Sequence, residues 1–415
     1  MAKEYVAMRY KNNAHAAFSV DWYIGKRCNF DCSYCVDYLH DNISKHPPYE
    51  KLITLVDLLY NRYGANVHWS ITGGEPTIIP WFHDVAQYIY EKPAGAREIS
   101  ITTNGSRTTE YFRKLYPYLH NITLSMHFEH IAHREDEYVE KIIALEKWRK
   151  AWNAIQESYN PDFNNSEEAL ASGYRKKTFL ARFMVYPGQF ERIERMYEKL
   201  KSGGVQKIEF RYIRPLIGGA NEHMPDVKLD TSYNHDEAEA PEGLRHTRKD
   251  GITDHQAPDH LVIDSKSPRT VKIAQAEEEW YSDDEKAQIK EWYNAPTTKK
   301  LNIAYFENDG EVTQEGFHYN QLNYERKNNF EGWTCWAGRS HMKITPSGDV
   351  YIGSCHVGGK LGNIYEITDD FVLPQDPVTC PKWRCTDNLD LRCPKAKPGY
   401  EHLVTPYVTK VVAGL

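Results

Sequence analysis

Apolar residues recur near every second position in six short stretches: Phe18 to Arg27, Asn66 to Thr72, Arg97 to Thr103, Asn121 to His127, Thr178 to Tyr186 and Lys207 to Pro215. Each is a predicted strand. Between them, apolar residues fall near helical spacing over Tyr49 to Tyr63, Trp81 to Glu91, Thr109 to Leu119, Glu135 to Tyr159 and Phe190 to Lys201. Strands alternating with amphipathic helices build a parallel sheet, so the fold class is α/β. Right-handed crossovers between six such strands curl the sheet toward an open (β/α)6 barrel spanning residues 1–215.

After Pro215 the alternation stops. Residues 216–300 are polar and charged, with the run Glu237 to Glu242 and a charged helix expected over Glu277 to Tyr293. Long loops in compact enzymes are often lids, and a lid over the barrel mouth is the expectation for this segment. His223, His235, His246, His255 and His260 lie in it without paired short spacing, which favours exposed loop histidines over a metal site. Residues 301–415 form a third segment. Within it, His341 to Ile352 alternates on both sides of Pro346-Ser347-Gly348-Asp349, predicting a hairpin.

The chain has 415 residues, a formal net charge of −7 and no apolar run near the length of a membrane span. No block of Lys and Arg stands out, which makes nucleic acid an unexpected main partner. The 29 tyrosines and 10 tryptophans are read chiefly as packing residues. With no export signal evident and with oxygen-sensitive chemistry implied below, a cytoplasmic location is expected.

Cysteines change the picture. Cys28, Cys32 and Cys35 are spaced C-x3-C-x2-C. Three thiolates on one short loop suit an iron–sulfur cubane, with one iron left free of protein ligands, better than a zinc ion, for which only His40 is a near fourth ligand. An odd triplet this tight cannot pair internally as disulfides. Downstream, Ile71-Thr72-Gly73-Gly74-Glu75-Pro76 ends the second strand; two glycines let backbone carbonyls approach an ammonium group, and Glu75 adds negative charge beside it.

These residues, with Tyr34 just before the third cysteine, resemble the signature of the radical S-adenosylmethionine (SAM) enzymes. The resemblance implies a [4Fe–4S] cluster on Cys28, Cys32 and Cys35, with SAM held by Gly73, Gly74, Glu75 and Pro76. In parallel barrels the site lies at the carboxyl ends of the strands, where the cysteine loop, the glycine motif and Thr102-Thr103-Asn104-Gly105 all fall. Thr103 and Asn104 either hydrogen-bond the ribose or carboxylate of SAM or form an Asn-Gly turn. Ser125 is placed like the family's SAM-contacting serine. Arg182 either meets the SAM carboxylate or forms a structural ion pair, the second being favoured.

The other five cysteines, Cys335, Cys355, Cys380, Cys385 and Cys393, crowd the last segment. With the hairpin between the first two, they resemble the SPASM and twitch extensions that hold auxiliary iron–sulfur clusters. The full SPASM pattern has seven cysteines for two clusters, so one auxiliary [4Fe–4S] cluster is expected here. Which two of Cys380, Cys385 and Cys393 complete it stays open, as does zinc. The fifth thiol is either a hydrogen-atom donor, for which Cys393 is the candidate, or inert and buried, which is favoured.

The family resemblance implies reductive cleavage of SAM to a 5′-deoxyadenosyl radical, hydrogen-atom abstraction, and oxidation of the substrate radical through the auxiliary cluster. A flavodoxin- or ferredoxin-like donor would supply the electron. Only 27 residues precede the cysteine loop, which favours a small molecule such as a sugar or aminocyclitol over a ribosomal peptide. The alternatives are a peptide maturase or epimerase and, more remotely, a non-catalytic electron relay, for which the glycine motif has no use. No catalytic base is identifiable.

Overall fold

The structure, a computed structural model, describes residues 4–10, 18–32, 35, 40–64, 67–92, 98–159, 176–185, 187–213, 281–294, 302–317, 322, 327–366, 376–382, 385 and 388–406. Tyr34 and the five histidines between 216 and 280 lie outside the described residues. The strands are β1 (Glu4–Tyr10), β2 (Phe18–Tyr23), β3 (Val67–Thr72), β4 (Glu98–Thr103), β5 (Asn121–Met126), β6 (Thr178–Val185), β7 (Ile208–Tyr212), β8 (Asn302–Asn308), β9 (Glu311–Phe317), β10 (Thr334–Cys335), β11 (His341–Ile344), β12 (Asp349–Tyr351), β13 (Gly362–Asn363), β14 (Val378–Thr379) and β15 (Lys395–Ala396). The helices are α1 (Tyr49–Tyr63), α2 (Phe82–Tyr90), α3 (Thr109–Leu115), α4 (Phe128–Ile131), α5 (Glu135–Tyr159), α6 (Phe190–Ser202), α7 (Asp283–Asn294) and α8 (Asn388–Arg392).

Strands β2 to β7 are the six expected from the alternation, and they pair in parallel and in sequence order. Period-2 geometry divides their side chains. Val67, Trp69 and Ile71 of β3 point into one core with Leu52, Leu55 and Leu59 of α1 and Phe82, Val85 and Ile89 of α2. Burying each such side chain contributes about 1.5–3 kcal/mol. The opposite face is polar, and its residues stand in cross-strand register. Lys343, Asp21, Ser70 and Ser100 form one row; Thr102 and Thr123 pair above it, and Ser125, Arg182 and Glu209 form a third row.

Helix ends follow local chemistry. Thr108 caps α3 by accepting from the Tyr111 N–H. The helix expected to reach Leu119 instead tightens into a 3-10 turn over Tyr116–Tyr118, because Pro117 can neither donate nor fit an α-helical interior.

The hairpin expected over His341 to Ile352 is present as β11 and β12, turning at Gly348, whose φ of 86° favours glycine. It does not stand apart. β11 pairs in parallel with β2, His341 opposite Ser19, extending the first sheet to nine strands. A second sheet has the order β14-β10-β15-β1-β8-β9, so the chain's first strand pairs with strands from its last segment. β8 and β9 join through Asp309-Gly310, both at positive φ, as a tight hairpin requires. The outer strand β9 carries Glu311, Thr313, Gln314 and Glu315, polar residues that suit an unpaired edge. No helix among the described residues is long and apolar enough to cross a membrane.

At the amino end of the parallel strands, Lys177 is buried and its ammonium donates to the carbonyls of Tyr116, Pro117 and Leu119 at 2.7, 2.9 and 2.6 Å. The Trp152 ring lies 4.4 Å from it. Burial pulls the Lys177 pKa down to about 7. Lys177→Met should leave three carbonyls without this donor and destabilise the protein by about 1–3 kcal/mol in chemical denaturation; an unchanged midpoint would show that the contact is dispensable.

Candidate cofactor-binding site

The first cysteine loop begins where β2 ends. Its base is closed by Asp41, whose backbone N–H donates to the Lys26 carbonyl at 3.1 Å. The Asp41 carboxylate accepts from the Ser44 N–H and hydroxyl at 2.8 and 2.6 Å and lies 3.3 Å from the Lys26 ammonium. Burial works against its ionisation, but Lys26 and the Ser44 and Ile43 donors outweigh it and hold its carboxyl below the ordinary range.

Cys28 and Cys32 are buried and Cys35 is half-buried. The Cys28 sulfur accepts from the Phe30 N–H at 3.4 Å, and burial pushes its thiol up to about 12. A thiol so placed ionises only when a cation compensates it, which is what metal ligation supplies. The donor set therefore fits an iron–sulfur cluster. His40, the sequence's nearest zinc candidate, faces Asp31 at 3.7 Å.

The glycine motif is sewn to the chain that leads into this loop. Ile24 N–H donates to Thr72 O at 2.9 Å, Gly74 N–H to Gly25 O at 2.8 Å and Glu75 N–H to Arg27 O at 3.0 Å. A Cβ on Gly73 would meet Gly25 O at 2.5 Å, and one on Gly74 would meet Lys26 O at 2.2 Å. Both glycines are thus required by the close approach of two backbones, a reason the sequence does not display.

Glu75 is 2% exposed. Its carboxylate accepts from the Thr77 N–H (3.0 Å) and hydroxyl (2.5 Å), the Thr103 hydroxyl (2.7 Å) and the Asn104 N–H (2.6 Å). Burial pushes its pKa up, and these donors oppose that. The carboxylate expected beside a ligand ammonium is committed to bracing the β3 loop against the β4 loop. Pro76 starts the 3-10 turn Pro76–Ile78 that follows. Asn104 donates to Asn29 Oδ1 at 3.0 Å and accepts from the Ser106 N–H at 3.0 Å, while Gly105 has a φ of 70°: the Asn-Gly turn is formed.

Ser125 is buried in register with Arg182. Arg182 Nε donates to Glu209 Oε2 at 3.0 Å, the ion pair favoured from sequence. His127, at the carboxyl end of β5, escaped the sequence reading: its Nδ1 lies 3.3 Å from Cys32 Sγ. Burial, with the positive charges of Arg182 and Arg211 nearby, pulls its pKa down to about 3, so the ring is neutral. His130 accepts from the Asp31 N–H at 3.2 Å and stacks on Phe30, with ring centroids 4.7 Å apart. Lone histidines at strand ends carry no spacing signal; only their place in a βα loop could have marked them.

The second cysteine group gathers around Cys335, whose sulfur is 3.8 Å from that of Cys393. This contact lowers Cys335 to about 6, whereas burial raises Cys355, Cys380, Cys385 and Cys393, each of which also feels the Cys335 charge. Two buried ammonium groups serve as counter-charges: Lys395 donates to Asp390 O and Lys382 to Cys355 O. Five thiols around two buried cations are compatible with an auxiliary cluster.

The two groups lie at opposite ends of β2. Cys28 follows its carboxyl end, while Ser340 O accepts from Ser19 N–H at its amino end, near Cys335 and Cys393. Six residues of strand alone separate them by about 20 Å. Cys393, the thiol weighed from sequence as a hydrogen-atom donor, therefore lies about a strand's length from the first cysteine loop.

Residues 22–200 match the family model described as the Radical SAM superfamily. A GTP 3′,8-cyclase of Crocosphaera subtropica is 32% identical over 185 residues, covering 39% of this chain and 52% of the relative. One from Gloeobacter violaceus is 28% identical over 145 residues, covering 33% and 42%. The chain thus spans about half the length, or less, of the curated relatives it matches. Among solved structures, anSMEcpe with bound AdoMet aligns at 13% identity and a TM-score of 0.44, over 85% of this chain and 79% of that one. SuiB of Streptococcus suis, bound to its precursor peptide, aligns at 12% and 0.43, over 86% and 64%. BtrN with AdoMet and 2-DOIA aligns at 19% and 0.24, over 26% and 45%.

Glu75→Gln keeps the volume but turns an amide N–H toward one of four donors. It should cost about 1–3 kcal/mol of stability in chemical denaturation; a variant as stable as the parent would show that the brace does not need the carboxylate.

Proposed function

We propose, on the premise that residues 22–200 are a radical SAM domain, that this chain is a SAM-dependent iron–sulfur oxidoreductase acting on a small polar molecule. In this reading the parallel strands β2 to β7 are a partial (β/α)6 barrel, followed by a SPASM/twitch-like extension. The observation that carries it is the stitching of the cysteine loop, the Gly73-Gly74 turn and the Asn104 turn to one another at the carboxyl end of those strands.

Cys28, Cys32 and Cys35 would hold the cluster, and the Gly73-Gly74 backbone would receive the SAM ammonium. Bound together, cluster and SAM would supply radical chemistry able to remove a hydrogen atom from substrate. The chain's own part is positional. Glu75 fixes the two loops, the neutral His127 adds no charge beside Cys32, and the polar face of Asp21, Ser70, Thr72, Thr102 and Thr123 offers hydrogen bonds to a hydroxylated substrate. The curated relatives bear names that specify GTP, a small polar substrate, which supports a small molecule over a peptide.

Cys335, Cys355 and two of Cys380, Cys385 and Cys393 would hold one auxiliary [4Fe–4S] cluster. About a strand's length from the first loop, it would exchange electrons through protein rather than by touching substrate, with a flavodoxin- or ferredoxin-like donor as external partner. Dehydrogenation or cross-linking fits that arrangement better than epimerisation, which needs a thiol beside the substrate.

Anaerobically reconstituted protein incubated with reductant and SAM should release 5′-deoxyadenosine, and joint replacement of Cys28, Cys32 and Cys35 by alanine should reduce release to background. Cys335→Ala should lower iron from roughly eight to roughly four per chain while leaving that release measurable. Persistent release from the triple variant, or zinc in place of iron in the second group, would overturn the respective assignment.

A further inference from the structure

The polar face carries one charge that the reading above leaves unused. β6 and β7 pair in parallel with Arg182 opposite Glu209 and Met184 opposite Arg211. Period-2 geometry sets Glu209 and Arg211 on the face opposite Ile208 and Phe210, which are buried in the core. Glu209, itself 2% exposed, is neutralised by Arg182 at 3.0 Å. Arg211 is half-buried and, among the described residues, makes no hydrogen bond and no ion pair. It lies near enough to His127 for its charge to bear on that ring, and His127 touches Cys32 at 3.3 Å. Beside the Arg182–Glu209 pair, Arg211 is a cation with no ion pair among the described residues.

A half-buried guanidinium without a partner is costly to keep and is matched by a planar or tetrahedral anion that takes two parallel N–H bonds. We propose that Arg211 is the receptor for an anionic group, a carboxylate or a phosphate, on the co-substrate. The inference rests on the radical SAM reading of this end of the sheet and adds the substrate class to it: a small molecule bearing an anion.

SAM has a carboxylate of its own, and sheet order argues against it as the occupant. That carboxylate shares a carbon with the amino group assigned to the glycine turn after β3. Arg211 is on β7, four strands away in the order β3-β4-β5-β6-β7 and about 19 Å along the sheet at 4.8 Å per strand. The anion at Arg211 is accordingly assigned to a second molecule, and the SAM arm of the test below decides between the two occupants.

The test is equilibrium binding to the reconstituted holoenzyme with three probes: SAM, inorganic pyrophosphate and succinate. Arg211→Gln should weaken the tighter-binding of the two small anions about ten- to a hundredfold and leave the SAM dissociation constant within about twofold. Arg211→Lys, which keeps the charge but not the fork, should recover most of the loss; it also serves as the readout should the glutamine variant lose its iron or its circular-dichroism melt. Absence of anion binding by the parent protein, equal anion affinity in parent and variants, or loss of SAM affinity by the same factor would each overturn the assignment. Failure of SAM to bind the parent protein would instead overturn the radical SAM reading, and the pyrophosphate and succinate arms would still judge Arg211.

Discussion

A carboxylate almost wholly withdrawn from water holds the functional end of this protein together. Glu75 accepts four hydrogen bonds, two from the turn it opens and two from the loop after the next strand. Burying a carboxylate is unfavourable unless its lone pairs are met, and here they are. The same turn approaches the Gly25–Arg27 backbone so closely that only hydrogen fits on the α-carbons of Gly73 and Gly74. Three loops that would otherwise fray independently are thereby made one rigid edge, against which a cluster and a sulfonium ligand can be held.

The second constraint is topological. A strand contributed from the last segment, β11, runs parallel to β2, so whatever precedes β11 sits at the end of the sheet away from the first cysteine loop. The two thiol groups are separated by the length of a strand.

Much of this was legible in the sequence. The six parallel strands follow from alternation, the hairpin over His341 to Ile352 from its turn residues, and the first cysteine loop from spacing alone. The pairing of β1 with β8 and β15 was not legible, because register between segments some three hundred residues apart is set by packing rather than by local pattern. The Asp309-Gly310 hairpin carried a readable turn signal that the polarity of its neighbours obscured. In the site, the glycines were recognisable but their reason was not: they make room for backbone as well as for a ligand. Glu75 turned inward rather than toward a ligand, and His127 and Arg211, single residues at strand ends, acquire meaning only from what the sheet places beside them.

The central claim is that three thiolates at the carboxyl end of β2 leave one iron of a cubane open to SAM. Electron paramagnetic resonance of the anaerobically reduced Cys335→Ala variant, with and without SAM, isolates that cluster. The account predicts a low-temperature iron–sulfur signal whose g values shift on SAM addition; a signal that SAM leaves unchanged would mean that a fourth protein ligand closes the cluster, and would contradict it.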